Sequence, residues 1–495
     1  MSHYENLVAH FTRLSHFHHL QAICGWDQAA MMPEGGNDAR SAAMAELAVL
    51  CHKQLTEPSL KAMFEGARKE SLNEFEQASL TEMERRWQQA TVLPEKLVQQ
   101  KSLAGSRCEH AWRTQRKNND WEGFKENLKP VVELARQEAL IRGAASGLSP
   151  YNAMLDLYEP GMTKEKLDPI FSDIKSWLPG VIEQIIEKQE QNQAIPLQGP
   201  FSEEKQNQLG LKIMEILGFD FNHGRLDVST HPFCGGVPSD VRITTRYTDD
   251  DFTSSIMGII HETGHARYEQ GLPKQHASLP VGEARSMGIH ESQSLFFEMQ
   301  LSRSPAFVSM LTPLITETFG AKDNPAFSPE NLLKIYTKVQ KGFIRVDADE
   351  ATYPAHVILR YEIERDLIEG LIEVDDIPAI WNRKMQEYLG ISTEGNFTDG
   401  CMQDIHWTDG SFGYFPSYTL GAMYAAQFMA SMRKTVDVDA CIHTQNLAPI
   451  WTWLKDNIWS KGSTRSTEEL VIQATGESLN PEYFKRHLIE RYLND

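Results

Sequence analysis

The run Ser255-Ile256-Met257-Gly258-Ile259-Ile260 leads straight into His261-Glu262-Thr263-Gly264-His265, and no other stretch restricts the fold so tightly. Residues four apart share a helix face, so His261 and His265 lie side by side with Glu262 adjoining them. The entering residues are almost wholly apolar, which reads as a buried helix. Two imidazoles and a carboxylate inside a protein need a partner that satisfies them, and a divalent cation does so. The rest of the chain therefore has to enclose this helix and bring a further ligand to it.

Two histidines leave a tetrahedral zinc one protein ligand short of the three that catalytic sites use. A Gly-x-x-His continuation would need glycine at 268 and histidine at 271, where the chain has Tyr268 and Gly271, so a third histidine of that kind is excluded. The following segment offers Glu269, Glu283, Glu291 and Glu298. Ile289 to Glu298 reads as an amphipathic helix. Glu291 is taken as the third ligand, with Glu283 nearly as good by spacing alone, and His290 is assigned to a supporting or core position. Such a set leaves one metal position open for water, and Glu262, which cannot complete the shell, is placed as the general base. Imidazole and carboxylate ligands admit zinc or cobalt.

Glu291 lies in His290-Glu291-Ser292-Gln293-Ser294, and with His261-Glu262-x-x-His265 it resembles the carboxypeptidase Taq family of metallocarboxypeptidases. Other motifs agree in order: Trp26-Asp27-Gln28 with Met31-Met32-Pro33, Tyr158-Glu159-Pro160-Gly161-Met162-Thr163, His231-Pro232-Phe233 and Asp240-Val241-Arg242-Ile243-Thr244. Ile344-Arg345-Val346-Asp347-Ala348-Asp349 and Gly400-Cys401-Met402-Gln403-Asp404-Ile405-His406-Trp407 complete the series. Leu295 departs from the arginine expected after the Gln-Ser pair. Position 295 also lacks the aspartate that orients a histidine in thermolysin-like sites, so another group must orient the ring. The resemblance implies a large, mostly α metallopeptidase fold with a deep substrate cleft, a homodimer, and release of single residues from the free C-terminus of short peptides with broad preference. An endo-acting or dipeptide-releasing oligopeptidase uses the same metal chemistry. A non-catalytic peptide-binding metalloprotein fits less well, because a structural site fills its fourth position and needs no base.

Composition excludes other classes. The 48 basic residues against 68 acidic give a formal charge of −20, which opposes binding to nucleic acid. No stretch approaches a membrane span. The N-terminus lacks a basic cluster and an apolar region, and the six scattered cysteines form no closely spaced pair, so a cytoplasmic protein with reduced thiols is expected.

Helical periodicity dominates, with helices expected near 6–23, from 38, and near 73–91, 95–118 and 121–143. Capping signals at Ser328-Pro329, Ser466-Thr467-Glu468-Glu469 and Asn480-Pro481 mark later starts. The exception is the alternation of Val241, Ile243, Thr245 and Tyr247 with polar residues, which with Leu226-Asp227-Val228 predicts a small antiparallel β-sheet beside the metal helix. An edge strand there is placed either to pair with an extended substrate or only to brace that helix. A single catalytic domain over residues 1–495 is expected, two helical lobes flanking a cleft being one arrangement of it.

Residues for the substrate come from two sources. The loop from Asp404 to Tyr418 is rich in Gly, His and Tyr, and His406 and Tyr418, with Tyr414 behind, are candidates to stabilise an oxyanion. A terminal carboxylate calls for the planar fork of an arginine. Arg345 is the first candidate, its motif belonging by resemblance to the family's substrate end. Arg242 is second, although Asp240 two residues before it favours a structural ion pair there. His231 either donates to substrate or closes a turn. His356 and Arg360 share a helix face and are read as a core polar network.

Overall fold

Capping side chains set the helix starts. Ser2 with Glu5, Asn73 with Glu76 and Ser466 with Glu469 each form a reciprocal box at the head of His3–Ala30, Glu74–Thr91 and Thr467–Thr475. Ser328 caps Pro329–Tyr336, and the Asn480 side chain accepts from the Glu482 amide at the start of Glu482–Tyr492. Asp120 opens Trp121–Ser146, and Gly147, at φ 74°, closes it. The computed structural model describes residues 2–494. Helix dominates them, and Asn37–Leu55 and Glu95–Gln115 complete the N-terminal set anticipated from periodicity.

Buried apolar side chains fall into two clusters. The smaller joins the first helices through Leu7, Phe11, Leu60, Phe64 and Met83 to Leu279 and Val281. The larger runs through the rest of the chain and surrounds the site. No helix among the described residues is long and apolar enough to cross a membrane, and all six cysteines are free.

The sheet has three strands, β1 (Gly224–Val228), β2 (Cys234–Val237) and β3 (Asp240–Thr245), in the order β1-β3-β2. It is mixed and not wholly antiparallel: β2 and β3 form a hairpin closed at Val237↔Asp240, while β1 runs parallel to β3 with Leu226 opposite Ile243. The reason lies in the five residues after β1, which carry the chain past β3 before it turns back, so the best apolar strand becomes the centre. Val241 and Ile243 are fully buried, and so is Thr244, which alternation alone assigns to the polar face. Paired on both sides, β3 has no edge to offer a substrate. It braces the metal helix, and the open edges belong to β1 and β2.

Three helices build the site: Thr253–Gly271, Met287–Leu295 and Pro416–Met432. The second does not run on to Glu298 as a regular α-helix. From Phe296 to Ser302 it widens into a π-helical stretch, a form often found at functional sites.

Candidate metal centre and active site

The helix Thr253–Gly271 starts where the Asp251 carboxylate accepts from the Thr253 and Ser254 amides at 2.7 and 3.2 Å, satisfying two of the orphan donors of its first turn. Ile256, Ile259 and Ile260 are fully covered, and each contributes about 1.5–3 kcal/mol of burial. One turn later the helix meets Met287–Leu295 at Gly264. A Cβ there would stand 2.6 Å from the Gln293 carbonyl oxygen and from Ser294 Cα, so only glycine allows this approach. The approach brings Glu291 up to the two histidines.

One ligand atom from each of His261, His265 and Glu291 lies within 4.8 Å of the others. His265 Nε2 and Glu291 Oε2 are 3.5 Å apart. Two ligands about 2.1 Å from one tetrahedral ion stand about 3.4 Å apart, so the spacing suits a single cation. The electrostatics ask for one as well. Burial, with the nearby Glu291 carboxylate adding to it, pushes Glu262 up to about 7. Burial also raises Glu291, and the Glu298 charge adds to that. A dication among these carboxylates relieves both effects.

Both imidazoles are held from behind. His261 Nδ1 donates to Glu298 Oε2 at 2.9 Å, and Glu298 Oε1 accepts from Arg303 at 2.5 Å. His265 Nδ1 lies 2.6 Å from His290 Nδ1, and His290 Nε2 lies 2.8 Å from Glu269 Oε1. One set of tautomers satisfies the second chain: His265 Nδ1–H donates to His290, and His290 Nε2–H donates to Glu269. In each case Nε2 of the candidate ligand is left for the metal. Of the four glutamates open at the sequence level, Glu291 joins the histidines, Glu298 and Glu269 support them, and Glu283 is paired with Arg86.

The substrate-side candidates separate. Arg345 is only 4% exposed. Its Nε donates to Asp404 Oδ1 at 2.9 Å and its Nη1 to the Tyr353 hydroxyl at 2.7 Å, and the Tyr418 ring lies 5.0 Å away. Asp404 also accepts from Arg360 at 2.6 Å, and Arg360 Nη1 donates to the His356 backbone carbonyl, so Arg360 enters a buried polar network, whereas the His356 ring does not: both its nitrogens are buried without a hydrogen-bond partner among the described residues. Two guanidiniums hold the Asp404 carboxyl far below its usual range against the opposing effect of burial. His406 Nε2 is 3.3 Å from the Tyr418 hydroxyl, and burial, with the positive Arg345 beside it, lowers the ring to about 4, keeping it neutral. Burial, with Glu291 adding, pushes the Tyr414 phenol up to about 12. Arg242 is bound bidentately by Asp240 at 2.6 and 2.8 Å and stacks over Trp26 at 4.4 Å. His231 is exposed, and its carbonyl closes a turn by accepting from the Ser229 hydroxyl at 2.6 Å. Neither is drawn into the Arg345, His406 and Tyr418 group by any of these contacts.

Residues 6–492 match the family model described as carboxypeptidase Taq (M32) metallopeptidase. The chain belongs to the carboxypeptidase Taq family. Thermostable carboxypeptidase 1 of Thermus thermophilus is 36% identical, the match covering 99% of this chain and 98% of that one. Carboxypeptidase 1 of Bacillus subtilis is 33% identical over 97% of this chain and 96% of its own length. Among solved structures, Trypanosoma cruzi metallocarboxypeptidase 1 superposes with a TM-score of 0.97 at 47% identity, covering 99% of each chain. The M32 carboxypeptidase of Deinococcus radiodurans gives 0.94 at 28% identity, covering 99% of this chain and 98% of that one. As a carboxypeptidase Taq metallopeptidase the protein is a metal-dependent peptide hydrolase.

Two parts of this carboxypeptidase Taq site go beyond the sequence reading. Glu298 is a ligand candidate there, yet its place seven residues after Glu291, two helical turns on the same face, is a usable signal for a residue behind the metal. Asp404 carried no such signal, because its two arginine partners lie 44 and 59 positions away along the chain.

Proposed function

We propose that the protein releases single residues from the free C-terminus of short peptides, with broad preference, using zinc held by His261, His265 and Glu291. The observation that carries this reading is the convergence of those three ligand atoms beside a buried Glu262, with the neutral His406 and the Tyr418 phenol of the Asp404 to Tyr418 segment gathered against the Arg345 guanidinium. Cobalt satisfies the same ligands.

When bound, the ion supplies Lewis acidity toward the scissile carbonyl and makes a water acidic enough to attack near neutral pH. Glu262 accepts the proton of the attacking water at its carboxylate and hands it to the leaving amine. Neutral His406 donates its Nε2–H to the Tyr418 oxygen, which orients the Tyr418 O–H to donate to the developing oxyanion. Asp404 and Tyr353 hold the Arg345 fork in one orientation for the terminal carboxylate. The reading extends to a single catalytic domain whose two helical lobes flank the cleft, and to a homodimer by family resemblance. The free thiols suit a reducing compartment such as the cytoplasm.

The test is mass spectrometry of a mixed pool of short peptides, with free and amidated ends, incubated with and without a chelator. Loss of single residues from free ends, stopped by chelation and restored by zinc, is the expected result. Internal cleavage, or equal attack on amidated ends, contradicts the C-terminal reading.

A further inference from the structure

The sequence Tyr158-Glu159-Pro160-Gly161-Met162-Thr163 has no part in the chemistry described so far, yet it meets the site at its most sensitive joint. The helix Met287–Leu295 carries Glu291 one turn beyond its start, and its first amides need partners. Three receive them in succession. The Met287 amide donates to the Tyr158 carbonyl at 3.1 Å, the Gly288 amide donates to Glu159 Oε1, and the Ile289 amide donates to the Ser286 hydroxyl at 3.1 Å. Glu159 is 1% exposed. The same Oε1 accepts from the Ser417 hydroxyl at 2.8 Å, in the first turn of Pro416–Met432. One carboxylate oxygen thus ties together the two helices that carry Glu291 and Tyr418. Those residues stand three and one positions beyond its two contacts.

The helices are also packed without slack. At Gly421 a Cβ would meet Glu291 Cγ at 2.6 Å and Glu291 Cβ at 2.7 Å, so the side chain of Glu291 lies directly against the backbone of the Tyr418 helix. Sliding one helix along the other moves Glu291 relative to Tyr418, and packing at Gly421 by itself resists approach more than sliding. The Glu159 bridge resists sliding, because a single acceptor bound to both helix starts fixes their relative height. Burial pushes the Glu159 carboxyl up to about 7, against the hydrogen bonds from Ser417 and Gly288, and the oxygen accepts both bonds in either protonation state.

We infer that Glu159 is a positioning residue that sets the register between the Glu291 helix and the Tyr418 helix, acting through the Gly288 amide on metal affinity and through Ser417 on turnover. The inference rests on Glu291 being the third ligand. Glutamine at 159 keeps an acceptor oxygen of the same reach, and alanine removes it. Zinc affinity is measured by chelator competition on purified, folded Glu159→Ala, Glu159→Gln, Ser417→Ala and Glu291→Ala proteins, with kcat and KM determined for the zinc-loaded Ser417→Ala variant. The expected result is a zinc Kd raised about 10- to 100-fold by Glu159→Ala and largely restored in Glu159→Gln. Ser417→Ala is expected to leave zinc affinity unchanged and to lower kcat several-fold at constant KM. Wild-type affinity in Glu159→Ala, with affinity lost in Glu291→Ala, overturns the inference and leaves the ligand assignment standing. Wild-type affinity in Glu291→Ala overturns both. Should Glu159→Ala fail to fold, wild-type kcat in Ser417→Ala still refutes the coupling to Tyr418.

Discussion

Gly264→Ala isolates the feature on which the metal centre depends, the close crossing of two helices. The new methyl would sit 2.6 Å from two backbone atoms of the facing helix, where ordinary contact begins at 3.4 Å. Neither atom belongs to a flexible side chain, so the helices must part by about 0.8 Å or tilt, and overpacking of this kind costs about 1–3 kcal/mol. In a chain of this size that lowers the melting temperature of the metal-free protein by only about 1–3 °C. The effect on the metal is larger in proportion. His265 follows the substituted position and Glu291 rides on the facing helix, while metal sites tolerate ligand displacements of about 0.2 Å. Zinc affinity is therefore expected to fall at least about tenfold, or 1.4 kcal/mol. Chelator competition measures it, and differential scanning calorimetry gives the stability. Gly258→Ala is the control, because a Cβ there meets nothing within 4 Å. It is expected to leave affinity unchanged and to stabilise by up to about 1 kcal/mol through helix propensity. Equal zinc affinity in Gly264→Ala and wild type would refute the reasoning.

Two more outcomes follow from the site. Glu298→Gln keeps an acceptor for His261 but removes the charge that faces both His261 and Arg303, so zinc binding is expected to weaken about 10- to 100-fold while the fold persists, as followed by metal titration and circular dichroism. Glu262 must be ionised to accept a proton, and its folded value is raised, so kcat/KM is expected to fall as pH drops through that value. The bound dication moves the midpoint below 7. A profile between about pH 5 and 8, with metal content checked at each point, decides it, and a flat acid side contradicts the assignment.

What was legible in the sequence follows physical locality. Helix starts were readable because a capping residue and its partner lie three positions apart. The His-Glu-x-x-His run was readable because one helix turn brings its side chains together. Glu291 could be chosen but not separated from Glu283 by spacing, because the choice depends on how closely two helices cross, and that is fixed by contact at Gly264 with Gln293 and Ser294. The antiparallel expectation for the sheet holds for β2 with β3 and fails for β1, because alternation reports burial of a face and says nothing of strand direction. The parallel pairing of β1 with β3 depends on the path of the chain between them. The π-helical stretch that carries Glu298 has no composition of its own, and Arg345 gave no sign that Asp404 and Tyr353 would enclose it.

In the proposed mechanism Glu262 acts as the base beside a metal held by His261, His265 and Glu291. Glu262→Gln preserves shape and leaves the ligands alone. Metal content by inductively coupled plasma mass spectrometry, measured on the same sample as peptide turnover, separates binding from chemistry. One zinc per chain with turnover reduced at least about a thousandfold is the predicted result. A zinc-loaded Glu262→Gln protein that still releases C-terminal residues at the wild-type rate would contradict it.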